Sequence, residues 1–407
     1  MAQPQTAAPL PQVRNRFIWI SALYGTATIA LSYRAVYLQQ SGFTAAQIGV
    51  IMAAVNLMGI FSQPIWGLAA DRWRSFRKAL CLCALVGGAL LALVPAAAST
   101  LLGPVALVGL LLPLANFFTA PGNALLDSWL VTAAHADRRL NFPAIRSASS
   151  LSYGVISCLV IVLIHYASVA STFYLFIALC IPMALLASTM PEVRSPAGRQ
   201  PSLRDLHPGR LFTNFHYVLF LLFSMAANIC LLCGGTFLPY LIEEVGGNSD
   251  NVGLIYGLRA LCEILPMLLS ARLTRRFPLP VLLAAAGVLY GLELFGLAAC
   301  GSFTQIILLH MVEGLAYGLF HVVGVQYIFR LVPEALSATA QTLQGALLGV
   351  CGILGNLAGG AALDSIGARG LFLAFGLVLS GTLTAFVLSF LLGRRIHRPL
   401  PPQAWRL

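Results

Sequence analysis

The chain alternates between long apolar stretches and short polar islands. Residues 45–70 and 79–123 contain no Asp, Glu, Lys or Arg, and they flank a charged island at residues 71–78. A helix that crosses a bilayer needs about 20 mostly apolar residues, because the hydrocarbon core is about 30 Å thick. The pattern therefore predicts membrane-spanning helices joined by short polar loops.

Twelve apolar windows of this kind follow one another along the chain. The predicted spans are 16–38, 45–70, 77–98, 101–131, 144–166, 169–190, 214–242, 249–274, 279–300, 303–330, 336–362 and 367–393. The longest polar stretch, residues 191–210, separates the sixth span from the seventh and holds four prolines and four arginines. We expect an N-terminal six-helix bundle at 1–190, a cytoplasmic linker at 191–213, and a C-terminal six-helix bundle with a short cytoplasmic tail at 214–407.

Basic residues fall on alternate sides of the predicted spans. The segments on one side hold Arg14 and Arg16; Arg72, Arg74, Arg77 and Lys78; Arg138 and Arg139; Arg194, Arg199, Arg204 and Arg210; Arg272, Arg275 and Arg276; and Arg394, Arg395 and Arg398. On the other side only Arg369 is basic. Because short cytoplasmic loops carry the excess of Lys and Arg, we expect both termini in the cytoplasm of a multi-pass inner-membrane protein.

The composition excludes several classes of protein. Hydrophobic residues make up 59% of the chain and charged residues 9%, which is typical of a polytopic membrane protein. The net charge of +11 comes from arginines scattered between spans, so we do not expect nucleic-acid binding. Cys230 and Cys233 form a C-x-x-C without a second pair, which favours small buried side chains over a metal site. No phosphate-binding loop or nucleophile–base motif supports an ATP-driven pump, an enzyme or a receptor, and we expect no cofactor.

The two predicted halves repeat a short pattern. The first span closes with Tyr37-Leu38, and after a polar turn residues 48–51 open the second span. The seventh span likewise closes with Tyr240-Leu241, and after a polar turn residues 252–255 open the eighth. Internal repeats in a membrane chain are typical of secondary transporters, which bind their solute near the bilayer midplane. The pattern predicts an all-α membrane protein with two pseudo-symmetric six-helix bundles.

The charged island carries a recognisable motif, with residues at Gly67, Asp71, Arg72, Arg77 and Lys78. It closely resembles the loop between helices two and three of the major facilitator superfamily. The resemblance implies the major facilitator fold, transport by alternating access driven by the proton gradient, and a monomer. It also implies that these five residues gate the cytoplasmic side, where charge-assisted hydrogen bonds to neighbouring helix ends can form and break.

Within that superfamily, residues 146–154, 262–276 and 312–321 resemble the branch of lactose permease and phenylpropionate permease. The resemblance implies that Glu263 is a membrane-embedded coupling acid and that Arg146 and Tyr153 face the substrate. Two registers are open for the tenth helix. An ungapped one puts Glu313 where the family has His and keeps His321 aligned. A gapped one matches both His310 and Glu313 to the sugar permease.

Few charged or titratable side chains lie within the predicted spans, and each needs a partner or a wet cavity there. They are Arg34, Asp127, Arg259, Glu263, Glu293, His310, Glu313 and His321, with Arg146 near the membrane surface.

His310, Glu313, Tyr317 and His321 follow spacings of three, four and four, which puts them on one stripe of a helix. A carboxyl group held out of water retains its proton more readily, and a nearby cation or water lets it go. We predict that Glu313, and then Glu263, couple transport to protons, with His310 and His321 on the same path and Tyr317 contacting the solute. For His321, a polar core role is the alternative.

Arg259 and Glu263 are four residues apart and share a helix face. They are interpreted either as a self-neutralising pair or as part of a proton or substrate network. Glu293, near the middle of the ninth span, lies where Arg259 could reach it, as a substrate-binding group or as a counter-ion.

The fourth span carries Asn123 and Asp127 on related faces, and Asp127 could pair with Arg146 at the cytoplasmic end. We predict that these residues contact the substrate. Arg34, near the outer end of the first span, is interpreted as a substrate or outer-gate residue, or alternatively as an interface anchor.

These observations favour a proton-coupled symporter that carries a small organic solute, such as a sugar, a nucleoside or an aromatic acid. The alternative is a proton-driven exporter of drugs or metabolites. The embedded arginines and acids favour a hydrophilic ligand, whereas an exporter of hydrophobic compounds would need a mostly aromatic cavity.

Overall fold

A computed structural model describes residues 10–97, 101–102, 105–137, 140, 142–190, 212, 214–332 and 334–395. The predicted linker lies outside the described residues except at 212, and so do Arg138, Arg139 and the end of the C-terminal tail.

The chain up to residue 188 forms nine helices and one short hairpin within its described part. They are α1 (Leu10–Ala27), α2 (Ile29–Ser32), α3 (Arg34–Gln40), α4 (Ala45–Trp73), α5 (Phe76–Ala97), β1 (Leu101–Leu102), β2 (Val105–Ala106), α6 (Val108–Thr119), α7 (Gly122–Ala136), α8 (Phe142–Tyr166) and α9 (Ser171–Ser188). The remainder contains α10 (Phe215–Glu244), a 3-10 turn (Ser249–Asn251), α11 (Val252–Arg276), α12 (Leu279–Ala299), α13 (Phe303–Leu331) and α14 (Glu334–Arg395).

These elements correspond to the twelve predicted spans. Ten stretches of the described chain are long and apolar enough to cross a membrane, and the longest, Leu347–Ser389, contains two spans. They meet at Gly367, whose φ of +71° breaks α14. The first span is divided among α1, α2 and α3 by non-helical residues at Thr28 and Tyr33, and is not among the ten.

The predicted start of the fourth span at residue 101 is wrong. Leu101–Leu102 pairs antiparallel with Val105–Ala106, and helix α6 begins only at Val108. A second break separates α6 from α7 at Ala120 and Pro121. Proline lacks the N–H that would continue the helical ladder and its ring crowds the preceding turn, so the span bends there.

The chain divides into two compact units. The first unit consists of Met1–Arg34 and Met58–Ala197, and the second of Ala35–Leu57 and Gly198–Leu407. In the first unit α1 packs on α8 and α9, and α5 packs on α6 and α9. In the second unit α10 packs on α14, and α13 lies against both α11 and α12. The division into bundles at 1–190 and 214–407 stays a prediction.

Each unit has an aromatic core. Trp129 and Phe17 meet edge to face in the first unit, with ring centroids 5.0 Å apart. Phe223 stacks on Phe386 at 5.1 Å in the second unit. All four side chains are buried, so these contacts hold α1 on α7 and α10 on α14.

Candidate functional site

The second unit contains a buried ion pair between two helices. Arg259 Nε on α11 donates a hydrogen bond to Glu313 Oε2 on α13 at 2.6 Å, and the two side chains are 17% and 5% exposed. The other carboxylate oxygen, Glu313 Oε1, is buried and accepts no hydrogen bond from the described residues. From the sequence, Arg259 and Glu263 form either a self-neutralising pair or part of a proton or substrate network, and the structure adds an ion pair from Arg259 on α11 to Glu313 on α13.

Two more titratable groups adjoin this pair. Ligand atoms of Glu293 on α12 and of His310 and Glu313 on α13 lie within 4.8 Å of one another, and all three residues are buried. His310 Nε2 is 3.9 Å from Glu293 Oε1, which is ion-pair distance for a protonated histidine. Three helices therefore bring one arginine, two acids and one histidine into one place, which is called the buried cluster below.

The predicted stripe on α13 continues from the buried cluster to an exposed end. The Arg259 guanidinium carbon lies 4.9 Å from the centre of the Tyr317 ring, as in a cation–π contact. Tyr317 in turn stacks on His321, with centroids 5.7 Å apart and planes 17° from parallel. His321 is exposed, and Glu263 is half-buried on α11. Contacts thus lead from His321 at the exposed end to the buried acids.

Two glycines set the distance between α11 and α13. A Cβ on Gly314 would lie 2.3 Å from the carbonyl oxygen of Arg259, and one on Gly318 would lie 2.3 Å from that of Glu263. Small residues four apart let two helix backbones approach closely in a membrane. The sequence prediction did not assign Gly314 and Gly318, although their Gly-x-x-x-Gly spacing was the available signal.

The first unit contains a second ion pair. Arg146 Nε on α8 lies 2.8 Å from Asp127 Oδ1 on α7, and the side chains are 32% and 36% exposed. On the same helix as Arg146, the Tyr153 hydroxyl is 2.8 Å from that of Ser32. Asn123, one turn before Asp127, is exposed. The structure therefore brings Asp127 and Arg146 together as the spacing suggested, and adds Ser32, which the sequence prediction did not include.

Arg34 lies at the first position of α3, next to the break in the first span. Its Nε donates to the Leu31 carbonyl at 2.9 Å, and its Nη1 donates to Asn116 Oδ1 at 2.9 Å. The arginine is half-buried and Asn116 is buried. The site around Arg34 is therefore made of neutral acceptors from the first and fourth spans.

The charged island forms a tight turn between α4 and α5. Arg74 has a φ of +50°, and the Ser75 N–H donates to the Ala70 carbonyl at 3.0 Å. Arg77 Nη1 donates to the backbone carbonyls of Ser188 and Met190 at the end of α9. Among the other motif residues, Gly67 is half-buried and Asp71, Arg72 and Lys78 are exposed. Arg77 therefore ties the start of α5 to the end of α9 within the first unit.

Comparison with known proteins identifies relatives among solute carriers. A family model described as "MFS_1 like family" matches residues 21–374. Maltose permease from Geobacillus stearothermophilus is 30% identical over 77% of this chain and 77% of its own. Xanthosine permease from Escherichia coli is 22% identical over 81% of this chain and 82% of its own.

The fold agrees with a solved structure as well. The crystal structure of nucleoside transporter NupG superimposes with a TM-score of 0.76 at 20% identity, over 93% of this chain and 98% of that one. The family match and the fold together lead to one conclusion: the chain is a multi-pass membrane transport protein of the major facilitator superfamily and belongs to the MFS_1 like family.

Proposed function

We propose that the protein is a proton-coupled symporter that moves a small organic solute, such as a sugar, a nucleoside or an aromatic acid, by alternating access. The observation that carries this proposal is the buried cluster of Arg259, Glu293, His310 and Glu313. The names of the relatives, which are permeases for maltose and xanthosine, support a small polar solute.

The charge of the buried cluster favours the uptake of one proton. Arg259 contributes one positive charge, whereas Glu293 and Glu313 contribute two negative charges when both are ionised. A net charge in an apolar interior is costly, so a single proton on the cluster restores neutrality. Because Glu313 is held in its ion pair by Arg259, Glu293 is the group that takes this proton in the present arrangement.

His310 has a fixed hydrogen-bonding direction. Its Nδ1 is 3.1 Å from the Ile306 carbonyl oxygen, which can only accept, so Nδ1 carries the hydrogen. The other nitrogen, Nε2, is then the one that exchanges a proton, and it is the atom nearest Glu293 Oε1. Small movements of α13 against α12 would close this 3.9 Å distance and pass the proton between the two side chains.

In this proposal Glu263 and His321 lie on the same proton path. The residues that contact the solute are Arg34, Asn123, Asp127, Arg146, Tyr153, Arg259, Glu293 and Tyr317. The positive-inside pattern supports a protein of the cytoplasmic membrane with both termini in the cytoplasm. Gating by Gly67, Asp71, Arg72, Arg77 and Lys78, a monomeric state and the absence of nucleic-acid binding belong to the same proposal.

The test measures proton movement directly. De-energised vesicles that contain the protein receive maltose, xanthosine or uridine while the external pH is recorded. A symporter alkalinises the medium on addition of its solute. Glu313→Gln should abolish this signal and uphill accumulation, because it removes the negative charge that makes the cluster need a proton. Exchange of labelled for unlabelled solute, which requires no net proton movement, should persist.

Glu244→Gln is the matched control. It makes the same chemical change at a residue outside the buried cluster, because Glu244 is 41% exposed in its ion pair with Arg369. It should retain both the pH signal and accumulation. Normal accumulation by Glu313→Gln would remove Glu313 from the coupling role, and solute movement without any pH change in wild-type vesicles would refute symport.

A further inference from the structure

We infer that the transported solute carries an anionic group, a carboxylate or a phosphate, and that Arg34 binds it. This inference rests on the proposed function, because it names the class of solute that the same transporter accepts. Three arginines of the spans, Arg34, Arg146 and Arg259, differ in their partners.

Two of these arginines are neutralised and the third is not. Arg146 is ion-paired with Asp127, and Arg259 with Glu313. The hydrogen-bond partners of Arg34 are a backbone carbonyl and the Asn116 amide. Among the residues that the structure describes, no carboxylate lies within ion-pair distance of Arg34.

An unneutralised cation in a spanning helix is expensive. A charged arginine within a spanning helix needs a partner or access to water, and neutral acceptors meet only part of that need. An aspartate at position 116 would differ little in shape from the asparagine present and would place a carboxylate oxygen beside Nη1. The neutral amide instead orients the guanidinium and leaves its charge available to a ligand.

The surroundings of Arg34 suit an organic anion. Helix α2 ends at Ser32 and α3 begins at Arg34, so Arg34 follows directly after the helix break at Tyr33. The hydroxyl of Ser32, two residues before Arg34, lies 2.8 Å from that of Tyr153. A guanidinium binds carboxylate and phosphate through parallel N–H donors. Leu31 and Asn116 accept the Nε–H and one Nη1–H of Arg34, which fixes the guanidinium and leaves Nη2 and the second Nη1–H for a ligand.

The charge balance of the whole cycle agrees with an anion. Arg34, Asp127 and Arg146 together carry one positive charge, which a monoanion would neutralise. The buried cluster of the second unit needs one proton for neutrality. A monoanion that moves with one proton makes each crossing electroneutral, whereas a neutral solute leaves Arg34 charged and unpaired in both directions.

The experiment compares acids with matched neutral compounds. Purified full-length protein is tested by thermal shift at pH 7 against D-glucuronate and D-glucose, 3-phenylpropionate and 3-phenylpropanol, and uridine monophosphate and uridine. Anything that binds the folded state raises the unfolding temperature, so apparent affinities follow from the concentration dependence. We expect at least one acid to bind about tenfold or more tightly than its neutral counterpart, as a charge-assisted contact would give.

Two variants then assign the effect to Arg34. Arg34→Gln removes the charge, and Asn116→Asp neutralises it while leaving the arginine in place, so a folding defect in one does not end the test. Both should lose the preference for the acid, so that the acid and its neutral counterpart bind with similar apparent affinity. Arg16→Gln is the control, because Arg16 is a half-buried arginine that donates to the Thr189 carbonyl, and it should behave as wild type.

A panel in which no acid binds better than its neutral counterpart overturns the inference, and so does an acid preference that survives Asn116→Asp. Failure here is distinct from failure of the proposed function. A neutral solute that still alkalinises the medium would leave symport intact, and an acid that binds through Arg34 but moves without protons would refute symport alone.

Discussion

Gly314 controls the separation of the two helices that form the buried ion pair. In Gly314→Ala the new Cβ would lie 2.3 Å from the Arg259 carbonyl oxygen, about 1 Å closer than the 3.4 Å at which ordinary contact begins. Both atoms are fixed to helix backbones, so neither can rotate away and α11 must shift by a similar distance. Because the Arg259 side chain moves with its backbone, its 2.6 Å contact with Glu313 is disturbed.

The size of the effect follows from two opposing contributions. Overpacking of a tight interface costs about 1–3 kcal/mol, whereas alanine in an open helix interior is about 0.5–1 kcal/mol better than glycine. Gly291 on α12 is the matched control, since a Cβ there meets nothing within 4 Å. Both variants gain the same helix propensity, so we expect Gly314→Ala to be less stable than Gly291→Ala by the overpacking cost, about 1–3 kcal/mol.

Thermal unfolding of the purified variants measures the stability difference, and the pH recording in vesicles measures coupling. A displacement of about 1 Å at a site of proton transfer lowers its rate by about 100-fold, so Gly314→Ala should have a much weaker pH signal. Gly291→Ala should retain both stability and signal. If the two alanine variants behaved alike in both assays, the close approach at Gly314 would not be what positions Arg259.

Three further predictions concern two ion pairs and one arginine–backbone contact. Arg259→Gln and Glu313→Gln should each destabilise the protein by about 3–5 kcal/mol because each breaks the buried ion pair, and the double variant should recover much of this in a thermal-unfolding cycle; additive losses would contradict the pairing. Arg146→Gln should cost less than about 1 kcal/mol in stability, because its pair with Asp127 is about one-third exposed, yet should lower solute uptake in vesicles. Arg77→Gln removes the donor to the end of α9 and should lower stability by about 0.5–1.5 kcal/mol by thermal unfolding; an unchanged transition would contradict that contact.

The sequence by itself determined the transmembrane architecture. Runs without charge, such as residues 45–70, are long enough to cross a bilayer, and a backbone in lipid must satisfy its hydrogen bonds within one helix. Local pattern was therefore sufficient to predict the spans. The start of the fourth span was the exception. Residues 101–106 are as apolar as those of a spanning helix, but helix α6 begins only at Val108.

The sequence also indicated which side chains belong to the site, because a charge in a span is rare and costly. It also indicated that Asp127 could pair with Arg146 at the cytoplasmic end of the fourth span, and the two side chains do form an ion pair. The stripe from His310 to His321 likewise needed only the helical period.

The tertiary structure alone decided how the helices meet. Local sequence patterns do not reveal that α12 brings Glu293 to His310, or that Arg259 contacts Glu313, because these contacts join residues far apart in the chain. It is the close approach at Gly314 and Gly318, where the missing side chains let two backbones touch, that converts scattered ionisable residues into one cluster. The polarity of each residue is local information, whereas its partner is fixed only by packing.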